Sequence, residues 1–547
     1  MSEDDPSAAQ EPPRRPWLDD LLVVAAAALT FARGVLHGLI PSWDDRRFLI
    51  DFEPVQRISW DALVRIWSEP HFEAYHPLHL MSYWLDVPFV GPNGPVIHAV
   101  SLLLWCGALL LVRRVMRAWG LGRGAALLAT LAYGLHPVQV EAVSWATGRK
   151  EIVALLFASC SILAHERSTG DWDRPAWMSR LAYVAAALAK TTTLPLPLLL
   201  AARDVLLRKQ PLRAALIGQL PALVVGAGLG MLVVEIWHTN QMIRPAPEGI
   251  GPIALVASTI THHLGTALLP VATSPIYPIH RVLADFHWWD ALGPVALGLL
   301  LWKGGDRGRF VAVAFVVLVA PVSNLWPLYF EVQDRYLSLP LLPLAFGLGA
   351  VADALGRRGR AVLALPVVAL ALLTVRYEGA WTDDIALWTH ATHSYPESFY
   401  AWMKLGEVRR DAGDIDGALA AYDKAVEAEP RLRLGHAARF QALARRDEQR
   451  RGLAPSRAVE LSQRYVRVAD DPDRLRELAG EMVVAGYREA VLLPLGRALD
   501  LAPAPPERLE NAALIQLGYG NEWLARFYVS RLGRPPLDPR LRRLVDD

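Results

Sequence analysis

The sequence predicts an all-α chain in two parts, a polytopic membrane helical domain of about 11 spans followed by a soluble α-solenoid of helical repeats. Three observations predict it. The 547 residues are 53% hydrophobic and only 20% charged, with a mean hydropathy of +0.23, which is far from a soluble globular composition. Apolar runs of bilayer-spanning length recur from residue 17 to about 377. From 378 to 547 the chain turns charged and alanine-rich, with helical periodicity.

Residues 1–16 form a polar tail, and the spans that follow are read at 17–40, 95–116, 123–137, 147–164, 180–207, 213–237, 252–270, 288–302, 309–326, 337–354 and 361–377. Arg14 and Arg15 ahead of "WLDDLLVVAAAALTFARGVL" also fit a signal peptide, but the further apolar runs favour an uncleaved first span. Arginines gather at 113–123, 203–213, 303–309 and 357–360, so these loops are placed in the cytoplasm with the N terminus. The loops 41–94, 136–151, 271–287 and 327–336 then face outward. Delivering the tail to the outer side requires an odd number of crossings. The run 180–207, with Pro195 and Pro197 in it, is long enough for two short passes, and 252–270, with His262 and His263, would then be re-entrant or interfacial. The parity stays open.

After a linker at 378–391, the region 392–547 carries "WMKLGEVRRDAGDIDGALAAYDKAVEAEP". Trp402, Leu405, Gly406, Ala418, Tyr422, Ala425 and Pro430 stand in the register of a tetratricopeptide (TPR) repeat, with Arg409 where a tyrosine is usual. A weaker unit lies around 477–503, and "SRAVELSQRYVRVADDP" fits a middle unit, so about three repeats and a cap are expected.

A net charge of +1 and the lack of a basic stripe set nucleic-acid binding aside. Cys106 and Cys160 lie in apolar runs and form neither a disulfide framework nor a zinc site. His71, His76, His79 and His98 have no convincing metal-ligand spacing, so no metal site is assigned. A divalent cation held by Asp44 and Asp45 is the version worth testing.

The polar residues of the membrane half collect in outer loops: "PSWDDRRFLID" (41–51), "EAYHPLHLMSYWLD" (73–86), "HPVQVEAVSWATGRKE" (136–151) and "PVSNLWPLYFEVQDRYLSLP" (321–340), with "LAKTTTLP" nearby. In this order, and with repeats beginning after "WTDDIALW", the chain resembles the transmembrane and tetratricopeptide-repeat O-mannosyltransferases and their bacterial relatives. Those are glycosyltransferases of the GT-C fold that use a sugar carried on polyprenyl phosphate.

The resemblance implies that Asp44 or Asp45 accepts the proton of an acceptor hydroxyl while its oxygen attacks C1 of the sugar, with inversion. The departing lipid phosphate needs cationic donors, and Arg149, Lys150, Lys190 and Arg335 are the candidates, with His136 matching the family's His-Pro. Arg46, His76, Glu141 and Tyr336 are secondary. His76 stands where relatives carry arginine; in contact with phosphate, it would make activity fall as pH rises past about 6.5. The structural alternatives are that Asp44, Asp45, Arg46 and Arg47 form a solvated cap, that Arg149 pairs with Glu151 or Glu141, and that Arg335 pairs with Asp334.

The expected function is transfer of a hexose, mannose by resemblance, from a polyprenyl-phosphate donor to hydroxyls of exported protein. It would take place at the inner membrane, with the repeats outside as the acceptor-binding arm. No certain cofactor is implied. Two alternatives remain: the same fold glycosylating a lipid or envelope glycan, and a non-enzymatic repeat scaffold. A transporter fits less well, since no inverted repeat relates the two halves.

Overall fold

The computed structural model describes the chain apart from residues 1–16, 73, 241–250, 279–285, 326–327, 329, 431, 433, 437, 440, 444–454, 469–470, 485–487, 519–520 and 547. The predicted N-terminal tail therefore lies outside the described residues. Among the described residues there is no strand, and an isolated bridge joins His71 to Ala74. The helices divide into two units, up to Pro396 and from Glu397 onward.

In the first unit the long helices are α1 (Trp17–Thr30), α2 (Gly94–Ala118), α3 (Arg123–Gly134), α4 (Arg149–Arg167), α5 (Arg174–Ala189), α6 (Leu196–Leu206) and α7 (Leu212–Thr239). They are followed by α8 (Pro252–Leu268), α9 (Leu292–Lys303), α10 (Gly305–Val319), α11 (Leu341–Ala354), α12 (Gly356–Glu378) and α13 (Asp384–Ser394). Each predicted span holds a helix, several of them shorter than the apolar run. The first run stops being helical at Thr30, and three stretches, Gly94–Ala118, Leu212–Thr239 and Gly356–Trp381, are long and apolar enough to cross a membrane. The run 180–207 is two helices: Lys190 is extended, Thr193 Oγ donates to the Lys190 carbonyl at 2.8 Å, and Pro195 and Pro197 cannot continue the α5 ladder.

Charge sorts the helix ends into two groups. At one end Arg113 pairs with Asp20 (2.7 Å), Arg123 with Asp19 (2.5 Å), the Gly122 amide donates to Asp353 (2.7 Å), Arg307 donates to the Gly120 carbonyl (3.4 Å), and Lys209 pairs with Asp306. All four predicted basic clusters are thereby gathered at this end, together with the start of α1. The opposite end collects the loops that follow α1, α3, α5, α10 and α12. Helix α8 touches that second end twice: Leu255 packs with Tyr277, Val332 and Tyr395, and the Ala267 carbonyl meets His136 Nε2 at 3.0 Å.

The stretch 378–391, read from sequence as a linker, instead carries most of α13, and its Trp381 and Trp388 are fully buried in the first unit. The second unit opens with a helical hairpin, α14 (Phe399–Asp411) and α15 (Ile415–Ala428). Gly406 lies against the Tyr422 ring, where any side chain would collide. Leu405, Ala418, Tyr422 and Ala425 are buried, Trp402 is half-buried and Pro430 exposed, and Arg409, standing in for the usual tyrosine, donates to the Gly417 carbonyl at 3.3 Å. Further helices at Pro455–Val468, Pro472–Val484, Arg488–Leu501, Pro506–Gly518, Glu522–Ser530 and Pro539–Asp546 follow.

Candidate active site

The two adjacent acids have different surroundings. Asp45 is fully buried, and its carboxylate accepts from the Ile40 amide (2.7 Å), the Thr147 amide (3.0 Å) and the Thr147 hydroxyl (2.6 Å). It staples the first outer loop to the second, 102 residues away in sequence. Burial pushes its pKa up to about 6 against the pull of those three donors. A carboxylate so occupied does not offer itself to a cation shared with Asp44, so the acidic pair does not fit the divalent ion considered from sequence. Asp44 is only half-buried, and its charge reaches Lys150 and Arg335.

The predicted cations separate in the same way. Arg149 is fully buried: Nη2 pairs with Asp86 (2.5 Å) and donates to the Ile97 carbonyl (2.7 Å), Nε donates to Ser101 (3.0 Å), and Nη1 to the Ser82 carbonyl (3.2 Å). With these donors spent on protein, and with Asp86 rather than Glu151 or Glu141 as its partner, Arg149, expected from sequence at the donor phosphate, is an anchor for the N terminus of α4. Lys190 is buried in an ion pair with Glu151. Arg335 pairs through Nη1 with the buried Glu141 at 3.1 Å, not with the alternative partner Asp334, which accepts from Tyr277 (2.5 Å) and the Ser274 amide (3.2 Å). Lys150 makes no carboxylate ion pair among the described residues, and its ammonium lies over the rings of Trp145 (4.9 Å) and Phe48 (5.5 Å).

Arg335 also lies over Trp145 at 5.2 Å and Trp43 at 5.9 Å. Asp44, Lys150 and Arg335 thus share one aromatic-backed place, with Tyr336, whose ring is 5.9 Å from the Arg335 guanidinium, at its edge. Arg46 is exposed and its charge is felt by Asp384.

Neither histidine is a cation here. His136 is buried, its Nδ1 accepting from the Val138 amide (3.3 Å) and its Nε2 meeting the Ala267 carbonyl. His76 Nε2 accepts from the Thr191 amide at 3.2 Å, a bond only the neutral ring can make, and burial, with Lys150 and Lys190 adding to it, holds its pKa well below 6.5. The fall in activity above pH 6.5 inferred from sequence therefore has no basis in this geometry.

No family model matches the chain. Curated relatives do: it is 22% identical over 471 residues to mouse protein O-mannosyl-transferase TMTC3, covering 75% of this chain and 51% of that protein. It is 30% identical over 309 residues to Drosophila melanogaster protein O-mannosyl-transferase Tmtc2, covering 51% and 31%. The chain is similar to the TMTC O-mannosyltransferases. It spans about half the length of the mouse TMTC3 protein. Among solved structures it is similar to ArnT from Cupriavidus metallidurans bound to undecaprenyl phosphate, at 14% identity and a TM-score of 0.41 over 82% of this chain and 80% of that one. It is also similar to the Archaeoglobus fulgidus oligosaccharyltransferase in its apo form, at 13% identity and a TM-score of 0.38 over 67% and 56%.

Sequence reasoning passed over the groups that hold this candidate site in place. Thr147 is a single hydroxyl between Ala146 and Gly148, Asp86 closes the quoted stretch 73–86, Trp43 directly precedes Asp44, and Trp145 lies four residues from both Glu141 and Arg149. The usable signal was proximity to the polar motifs; which partner each group takes depends on chain folding.

Proposed function

We propose that this chain is a membrane glycosyltransferase that moves a hexose, mannose by its relatives' names, from a polyprenyl-phosphate carrier to hydroxyls of exported protein. The observation that carries the reading is the half-buried Asp44 beside Lys150 and Arg335, at the end of the first unit opposite the arginine clusters. Asp44 takes the acceptor's proton as the acceptor oxygen forms its bond to C1. The C1–O bond to the lipid phosphate breaks on the opposite face, inverting the anomeric centre. Lys150 and Arg335 receive the charge that develops on the phosphate. Asp45, Arg149 and His136 position the loops that carry these groups.

The arrangement of helix ends supports a topology of eleven crossings, with α5 and α6 as separate passes and α8 lying along the outer face. The N terminus is then cytoplasmic at the inner membrane, and the unit from Glu397 is an extracytoplasmic repeat solenoid that presents acceptor peptide.

The test is mass spectrometry of exported proteins and envelope glycans from cells carrying wild-type protein, Asp44→Asn or Lys150→Ala at matched membrane abundance. Loss of hexose from a protein pool in both variants is the expected result. Loss from a lipid or glycan pool alone moves the acceptor to the envelope, and three coincident profiles overturn the enzyme reading in favour of a scaffold.

A further inference from the structure

We propose that α13 is a positioning element for the acidic loop, and that Asp384, acting through Ser42, is a positioning residue for Asp44. The inference rests on the reading of Asp44 as the reacting carboxylate, and it arises from a series of contacts in register. Glu378 accepts from the Gly34 amide at 2.8 Å, and the Thr382 carbonyl accepts from the Gly38 amide at 3.3 Å. Asp384 accepts from both the amide (3.2 Å) and the hydroxyl of Ser42. Trp388 Nε1 then donates to that same hydroxyl at 2.7 Å, and its ring meets Trp43 edge-on at 5.5 Å.

The Ser42 hydroxyl, donating to Asp384 and accepting from Trp388, is held in one rotamer. Asp44 is consequently strung between two fixed points, Ser42 before it and the buried Asp45 after it. The Asp383–Asp384 pair divides its labour as the Asp44–Asp45 pair does: Asp383 caps α13 by accepting from the Ala386 amide at 2.8 Å, which leaves Asp384 to the loop. At its other end α13 is fixed to the third outer loop, by His390 Nε2 on the Thr273 carbonyl (3.0 Å) and by the Tyr395 hydroxyl on the Ala272 carbonyl (2.9 Å). A surface helix with only a packing role has no need to satisfy both polar groups of one loop serine.

The test uses full-length protein in lipid nanodiscs, comparing wild type, Asp384→Ala, Asp384→Asn and Ser42→Ala. Hydrogen exchange of amides 38–47 is read beside turnover of undecaprenyl-phosphate mannose with a serine-rich peptide. Asp384→Ala and Ser42→Ala should speed exchange in this segment about tenfold while α2 is unaffected, the scale expected when a hydrogen bond to a charged group is lost. Turnover should drop in kcat with the donor KM unchanged, and Asp384→Asn, which keeps the acceptor oxygen, should recover most of both. Unchanged exchange in 38–47, or a lowered melting temperature with kcat intact, overturns the proposal. If Asp384→Ala does not fold, Ser42→Ala, which removes one oxygen, decides it. Wild-type protein that transfers nothing while exchange responds as stated defeats the reading of mannosyl transfer to protein hydroxyls and leaves the clamp standing.

Discussion

Asp44 and Asp45 differ by one position and by everything that surrounds them. Asparagine at 45 puts an amide where three N–H and O–H donors converge, so at least one donor loses its acceptor. Asp45→Asn should therefore destabilise the first unit by about 1–3 kcal/mol. Asp44→Asn should leave the melting temperature of purified protein within a degree or two, a comparison that differential scanning fluorimetry in detergent makes directly. His76 gives a second check, by pH. Its folded pKa lies well below the ordinary 6.5 because the ring is buried beside Lys150 and Lys190. Below pH 6.5 the unfolded chain takes a proton that the folded chain refuses, so the stability this group supplies is present above 6.5 and is lost as pH falls. Melting temperature should drop from pH 7.5 to pH 5.5, and His76→Gln should flatten that drop.

Among the elements, the turn from Pro137 to Arg149 shows why its motif has the residues it has. His136 and Pro137 start it, Glu141 meets Arg335, Thr147 meets Asp45 and Arg149 meets Asp86, so one turn bonds to the first outer loop twice and to the loop before α11 once. Gly148 is there for space: its backbone is ordinary, but a Cβ would run into the Glu141 carbonyl. Gly148→Ala should cost about 1–3 kcal/mol and lower the yield of folded protein in membranes, read by size-exclusion chromatography of tagged protein. The helices were legible in sequence because apolar runs and their proline breaks are local properties, and the loops that meet at the candidate site stood out because polar residues are scarce in this half. The roles within the site were not. Arg149 and Lys150 are neighbours in the chain, and Asp86, whose partner is 63 residues away, decides which of them is free.

At the scale of the molecule, the sorting of helix ends makes a claim about the bilayer. The salt bridges from Asp19 and Asp20 to Arg113 and Arg123, and from Lys209 to Asp306, put the basic clusters together, and arginine-rich loops are retained in the cytoplasm. On the proposed topology the acidic loop, the Glu141–Arg335 pair and both ends of α8 belong on the outer side. A helix of 17 residues rises about 25 Å, close to the hydrocarbon thickness, so α8 could pass for a span by length. Its contacts argue otherwise, since a crossing helix could have Leu255 among Tyr277 and Tyr395 and also have Ala267 at His136 only if those two sites faced opposite sides, and they lie at the same end of the bundle. In protein with Cys106→Ala and Cys160→Ala, single cysteines introduced by Gly251→Cys, Leu269→Cys, Arg57→Cys and Arg307→Cys should sort accordingly. A membrane-impermeant maleimide added to sealed cells should label the first three and spare Arg307→Cys until the membrane is opened. Labelling of Gly251→Cys without Leu269→Cys, with Arg307→Cys now labelled as well, would make α8 a twelfth crossing and move the second unit to the cytoplasm, away from any exported acceptor.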